Sequence, residues 1–389
     1  MKIVIAPDSF KESLSALDVA NAIEQGFKHI FPHAQYCKIP MADGGEGTVQ
    51  AMVDATGGRI IVRRVTGPLG TQVNAFYGIL GQPDANGQLT AVIEMAAASG
   101  LHLVPPPQRN PLITTSFGVG ELIADALNQG IKHIILGLGG SSTNDAGAGM
   151  MQALGAKLTD MSGSDIAFGG AALANLHHID IQSLHHNIND CQIEVACDVD
   201  NPLCGPRGAS VIFGPQKGAN PAMVAQLDHA LAHFADVVNR QQTPQISVGC
   251  EHQAGAGAAG GMGFGVMAML AATLKPGVDI VTQSVELAKH CQDADLVITG
   301  EGRIDGQTVY GKTPMGVLNV AQKYNVPTIG IAGCLGNGAD AILKQGMKAI
   351  FPIIPAVQPL EQVLSDAQVN LAHTAKNIAA VWSLSLKQT

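Results

Sequence analysis

Two carboxylates, a guanidinium and an ammonium crowd into residues 296–315: Glu301, Arg303, Asp305 and Lys312. That mixture suits chemistry on an anion, with the bases neutralising its charge and the acids holding a divalent metal or accepting a proton. The segment opens with the apolar, largely β-branched run Leu296-Val297-Ile298-Thr299, which reads as a buried strand that breaks at Gly300 into a loop rich in glycine and charge. Pro314 then marks the first turn of a helix, where its preset φ and missing N–H cost nothing. In an open parallel α/β sheet such a loop lies at the carboxyl edge, where ligands bind, beside a helix N-terminus with free N–H groups.

Residues 306–313 also satisfy the phosphate-loop pattern G-x-x-x-x-G-K-[ST], as Gly306-Gln307-Thr308-Val309-Tyr310-Gly311-Lys312-Thr313. A true phosphate loop starts where its strand ends, whereas residues 301–305 intervene here. Val309 and Tyr310 are also bulky at places where backbone must approach phosphate closely. An anion loop of another kind is the expectation, with a phosphate-loop NTPase using Gly306 to Thr313 as the alternative.

Four further segments place ligand chemistry after expected strands. Asp8, Ser9 and Lys11 follow an N-terminal strand over 2–6, and Lys11 reads equally well as a solvated loop lysine. Asp43, Gly44, Gly45 and Glu46 lie between a short strand (37–40) and a helix through Val49, Met52 and Val53. Glycines there admit close backbone approach and an acid can hold Mg²⁺ or a hydroxyl, although Glu46 also suits the first turn of the helix as a favourable charge. Ser141, Ser142, Asn144 and Asp145 belong to a glycine- and hydroxyl-rich turn between a strand (131–138) and a helix from about Met150, an anion site by geometry. Asp198 and Asp200 follow a strand over 192–196. If that strand persists they face one way and suit a metal or a general base beside one; otherwise they form an Asx-turn before Pro202.

Positioning these residues takes a large α/β chain. Its 389 residues, 46% hydrophobic and only 14% charged against a usual charged share of roughly 25%, describe a compact globular protein with room for two domains. A net charge of -9 without a basic cluster argues against nucleic acid or an anionic membrane as partner. The apolar start of the chain is too short for a signal peptide, and seven cysteines without Cys-x-x-Cys spacing read as reduced thiols in a cytoplasmic protein. The pairs His177-His178 and His185-His186 lack metal-ligand spacing and read as solvated loop histidines. Ser15 and Asp18 resemble a capping box that opens a helix bearing Ala20, Ile23 and Phe27. Strands over 60–65, 74–80 and 90–95 follow without room for helices between them, so antiparallel hairpins are expected. The glycine-dense 255–265 stretch leads into an apolar helix over 266–274. From 285 the α/β rhythm returns, ending in a long helix over about 360–384. The expectation is that the two α/β ends (1–60 and 285–389) form one parallel-sheet domain with the middle (61–284), which carries the antiparallel hairpins, inserted between them.

Taken together, the segments Ala6-Pro7-Asp8-Ser9-Phe10-Lys11, Ala42-Asp43-Gly44-Gly45-Glu46-Gly47-Thr48, Leu138-Gly139-Gly140-Ser141, Asn144-Asp145, Cys197-Asp198-Val199 with Asn201-Pro202-Leu203, Gly214-Pro215-Gln216-Lys217-Gly218-Ala219 and Thr299-Gly300-Glu301-Gly302-Arg303-Ile304-Asp305 resemble the type I bacterial glycerate kinase family. The resemblance spans the chain. It implies a discontinuous Rossmann-like α/β domain (1–60 and 285–389) with a second α/β domain of mixed sheet (61–284) inserted, an active site in the cleft between them, ATP and Mg²⁺ as cofactors, and transfer of phosphate to the 2-hydroxyl of D-glycerate; 3-hydroxyl regiochemistry is the alternative. On that reading Lys11, Arg303 and Lys312 neutralise phosphate, Asp198 is the base, and Glu46, Asp200 and Glu301 are metal candidates. Asp8, Ser9, Asp43, Gly44, Gly45, Ser141, Ser142, Asn144 and Asp145 then bind substrate or phosphate. A monomer or homodimer is expected. A sugar-acid sensor would need no ATP, and a nicotinamide dehydrogenase would need the G-x-G-x-x-G that the first strand lacks.

Overall fold

The computed structural model describes residues 1–84, 86–241 and 243–386. Its strands, in chain order, are β1 (Lys2–Pro7), β2 (Gln35–Lys38), β3 (Arg59–Thr66), β4 (Gln72–Ile79), β5 (Thr90–Glu94), β6 (His133–Gly137), β7 (Lys157–Thr159), β8 (His178–Asp180), β9 (Gln192–Ala196), β10 (Thr273–Lys275), β11 (Leu296–Ile304), β12 (Thr328–Leu335) and β13 (Ala349–Pro352). The chain divides into two compact units: residues 1–43, 50–58 and 278 onward form the first, and residues 44–49 and 59–277 the second.

The first unit is built on a five-stranded parallel sheet in the order β13-β12-β11-β1-β2. A parallel sheet is covered on both faces, which is why β1 after Lys2 and residues 296–298 of β11 are unbroken apolar runs. Ile3, Ile5, Ile298 and Ile331 pack with Ile23 and Phe27 of the helix Ala16–Lys28 and with Leu371 and Ala375 of the helix Ala367–Leu386. The first of these helices starts where its capping signal lies: Ser15 Oγ accepts the Asp18 N–H at 3.1 Å and donates to the Asp18 carboxylate at 2.6 Å. Strand order reverses at β1, which has β2 on one side and β11 on the other. In open α/β sheets the carboxyl ends at such a switch point form the ligand crevice.

Strand β11 does not break at Gly300. It continues through Glu301 and Arg303 to Ile304, which pairs with Leu335 of β12. Gly300 is required for close approach, since a Cβ on it would lie 1.9 Å from the Ile331 carbonyl oxygen. Glu301 and Arg303 therefore stand on the rigid end of a strand. The C-terminal helix is also divided, into Leu360–Ser365 and Ala367–Leu386.

The second unit carries a six-stranded mixed sheet in the order β10-β9-β6-β5-β4-β3 and a separate β7-β8 pair. Strands β3, β4 and β5 are antiparallel neighbours, as the short connections between them predict, whereas β5, β6, β9 and β10 run parallel. Tyr77, Leu122, Ile134, Val195, Phe234 and Phe264 belong to its core. The helix expected over 266–274 is instead Ala258–Leu270, with left-handed backbone at Ala259, Gly260 and Gly261. A Cβ on Gly260 would meet the Thr143 carbonyl oxygen at 2.1 Å, so this bend packs directly beneath the 141–145 turn. Ala271, at φ 50°, closes the helix, and residues 273–275 become β10 alongside β9. Pairing with a sheet edge overrides the local helical pattern there.

Candidate active site

In the first unit, β1 delivers Asp8 and β11 delivers Glu301. Asp8 Oδ1 accepts the Ser9 N–H at 2.6 Å and Oδ2 accepts the Thr313 hydroxyl at 2.7 Å. Glu301 is buried, accepts the Thr308 hydroxyl at 2.6 Å on Oε1 and has Lys312 Nζ 3.9 Å from Oε2. Burial, and after it the Asp43 carboxylate, raises Asp8 to about 6. Burial likewise raises Glu301 to about 7, against the pull of Thr308 and Lys312 and with Asp8 and Asp43 adding to the rise. Asp8 and Glu301 thus both lie where burial makes ionisation costly, with the Asp43 carboxylate adding to that cost. Arg303 is largely exposed, with Nε 3.3 Å from Asp305 Oδ2. Lys11 is exposed on a tight turn whose backbone passes beside Gly302.

The phosphate-loop look-alike is turned inward. The N–H groups of Gly306, Gln307, Thr308 and Tyr310 donate to the Asn337 carbonyl, the Asp305 carboxylate, the Asp305 carbonyl and the Gln307 carbonyl. A phosphate cradle needs such groups free. Thr308 and Thr313 point their hydroxyls at Glu301 and Asp8, and Tyr310 lies in solvent.

In the second unit, Ser141, Ser142, Asn144 and Asp145 are all buried. Asp145 accepts the Ser116 N–H at 2.9 Å, the Ser116 hydroxyl at 2.8 Å, and the N–H groups of Gly147 and Gly149 at 3.2 and 3.4 Å. Burial nonetheless raises its pKa. Ser142 Oγ donates to the Ser99 carbonyl at 2.9 Å and Asn144 Nδ2 to Ser210 Oγ at 3.0 Å, while Asn144 Oδ1 and Thr143 Oγ1 are buried without a hydrogen-bond partner. Lys217, from the Gly-Pro-Gln-Lys-Gly segment, is buried and donates to the Thr143 carbonyl at 2.6 Å.

The expected Asp198/Asp200 pairing on a persisting strand does not occur, because β9 ends at Ala196. Asp198 is exposed and accepts the Gly277 N–H at 3.0 Å; Asp200 is exposed and bound to Arg207 at 2.7 Å. Gly44 packs so closely that a Cβ would lie 2.8 Å from Ala196 Cβ and 2.9 Å from Gly277 Cα. Gly45 receives the Thr48 hydroxyl on its carbonyl, Glu46 is exposed, and the buried Glu94 accepts the Val49 N–H at 2.8 Å. Ser116 and Glu94 are contributors that sequence reasoning missed, and Thr308 and Lys217 stood in recognised segments without a role assigned to them. Only Lys217 carried a signal, a charge in a glycine-rich loop.

Among the described residues no group of three or more His, Cys, Asp or Glu forms a metal cage. The oxygen-only donors Asp8, Asp43 and Glu301, two of them with raised proton affinity, fit a hard cation that keeps its own waters, as Mg²⁺ does. Nor among those residues is any helix long and apolar enough to cross a membrane.

Acids, hydroxyls and a lysine at a parallel-sheet switch point fit the demands of phosphoryl transfer, and the family match places the chain in the class of small-molecule kinases. The chain belongs to the glycerate kinase family, whose sequence model matches residues 3–383. It is 56% identical over 381 residues to the glycerate kinase of Haemophilus influenzae, covering 98% of each chain. It is 54% identical over 387 residues to the glycerate 2-kinase of Escherichia coli, covering 100% of this chain and 99% of the relative. A crystal structure of a glycerate kinase homologue from Salmonella typhimurium LT2 superposes with a TM-score of 0.90 at 55% identity, covering 100% of this chain and 99% of the other.

Proposed function

We infer that this enzyme transfers the γ-phosphoryl group of ATP to the 2-hydroxyl of D-glycerate. The observation that carries the reading is full-length identity of 54% to a glycerate 2-kinase, with Asp8 and Glu301 each following directly on the paired Pro7 and Gly300 of β1 and β11. Phosphoryl transfer asks a protein for charge neutralisation and a positioned hydroxyl more than for covalent chemistry. Mg²⁺, when bound, would supply neutralisation of phosphate charge. Glu301 is the first unit's candidate to hold it, with Asp8 and Asp43 nearby. Of the other metal candidates, Glu46 is exposed on the second unit and Asp200 is spent on Arg207.

Lys11, Arg303 and Lys312 are assigned to phosphate charge. Both exposed cations, Lys11 and Arg303, are free to reorient toward a ligand without leaving a core. Gly45 is assigned to close approach of substrate, the close approach at Gly44 being to Ala196 and Gly277 instead, and the turn bearing Ser141, Ser142, Asn144 and Asp145 to an anionic group of glycerate or nucleotide. Asp198 is the assigned base. Asp8 is the second reading for that role, favoured by a pKa of about 6, better matched to proton abstraction near neutrality than an ordinary carboxylate.

The test is release of ADP from Mg-ATP with and without D-glycerate. Glycerate-dependent release supports the kinase. Hydrolysis at the same rate without glycerate would turn the reading to a phosphate-loop NTPase.

A further inference from the structure

Thr308 belongs to the phosphate-loop look-alike, yet the reaction as assigned leaves it without a role. It is completely buried. Its hydroxyl donates to Glu301 Oε1 at 2.6 Å and accepts the Asp305 N–H at 3.1 Å. A backbone N–H can only donate, so the Asp305 contact takes a hydroxyl lone pair and the single hydroxyl proton goes to the carboxylate. With Oε1 fixed in this way, Oε2 is the oxygen turned toward Lys312 Nζ, 3.9 Å away. Asp305, tied to the same hydroxyl through its N–H, is also the acid beside Arg303 Nε at 3.3 Å. One threonine therefore connects the strand's carboxylate to the turn beside its arginine.

We propose that Thr308 is a positioning residue for phosphoryl transfer, holding Glu301 so that its second carboxylate oxygen is presented to the divalent metal. The inference rests on the assignment of Glu301 to that metal. Partners that orient a metal-binding carboxylate contribute through its direction, and their loss weakens metal binding by about 10- to 100-fold.

The test compares the full-length wild type with Thr308→Val, Thr308→Ser and Glu301→Gln. Binding of Mn²⁺ alone is read by electron paramagnetic resonance, and kcat and KM for Mg-ATP are measured alongside. Thr308→Val keeps the volume and removes the hydroxyl, so Mn²⁺ affinity is expected to fall about 10- to 100-fold. Thr308→Ser restores the hydroxyl and is expected to bring affinity and turnover back to near wild type. Should Thr308→Val unfold below the assay temperature, Thr308→Ala replaces it with the same expected loss. Wild-type Mn²⁺ affinity in the hydroxyl-free variant, alongside weakened binding in Glu301→Gln, would overturn the role of Thr308 and leave that of Glu301 standing. A serine variant as impaired as the valine one would assign the effect to the methyl group and likewise overturn the proposal. Wild-type Mn²⁺ affinity in Glu301→Gln, or no binding by the wild type, would remove Glu301 from the metal and with it the premise.

Discussion

Lys217 Nζ lies 2.6 Å from the Thr143 carbonyl oxygen, with both residues shut off from solvent. Burial lowers the pKa of Lys217 to about 7, while the attraction of Asp145 works in the opposite direction. Replacing Lys217 by Ala leaves the carbonyl unpaired, Asp145 without its cation and a cavity in the floor of the 141–145 turn. Unfolding in urea is expected to show a loss of about 3–5 kcal/mol. A loss under about 1 kcal/mol would mean that the turn holds its shape without the lysine.

Glu301 ties stability to pH. Its folded-state pKa is raised from 4.5 to about 7, so between those values the folded chain holds a proton that the unfolded chain has released. The stability this group contributes is present below pH 4.5 and is lost as pH rises through about 7. Glu301→Gln does not titrate. In metal-free buffer its stability relative to wild type is expected to improve by about 1–3 kcal/mol between pH 5 and pH 8. A difference that stays flat with pH would contradict the raised pKa.

Thr313 separates two readings of residues 306–313. In a phosphate loop the corresponding hydroxyl ligates Mg²⁺, whereas here it donates to Asp8 at 2.7 Å. Thr313→Ala is therefore expected to weaken Mg-ATP binding by at most about 10- to 100-fold, the effect of disorienting one carboxylate. Abolition of binding in a titration calorimeter would restore the phosphate-loop reading.

Much of this architecture was legible because it is local. The capping pair Ser15 and Asp18, the strand Gln192–Ala196 and the hairpins flanking Gln72–Ile79 follow from residue chemistry and spacing. What could not be read depends on partners distant in sequence. Gly300 has the same one-letter identity whether it ends a strand or admits the Ile331 carbonyl. Asp200 reads as half of a carboxylate pair until Arg207 is seen to occupy it. Lys217 and Lys11 are both lysines in polar loops, yet one is buried under the 141–145 turn and the other lies in solvent.

The identity of the base is decided by a pair of variants. Asp198→Asn is expected to reduce kcat by about 10²–10⁴-fold, the usual contribution of general base catalysis, with little change in unfolding because asparagine keeps an Oδ1 that can accept the Gly277 N–H. Near-normal turnover in Asp198→Asn, with a comparable loss in Asp8→Asn, would transfer the role to Asp8.

The central claim is best tested by phosphorus NMR of the product formed from D-glycerate and Mg-ATP. The account predicts 2-phosphoglycerate as the only phosphorylated organic acid. Formation of 3-phosphoglycerate would contradict the assigned hydroxyl, and glycerate that stays unphosphorylated would contradict the kinase reading itself.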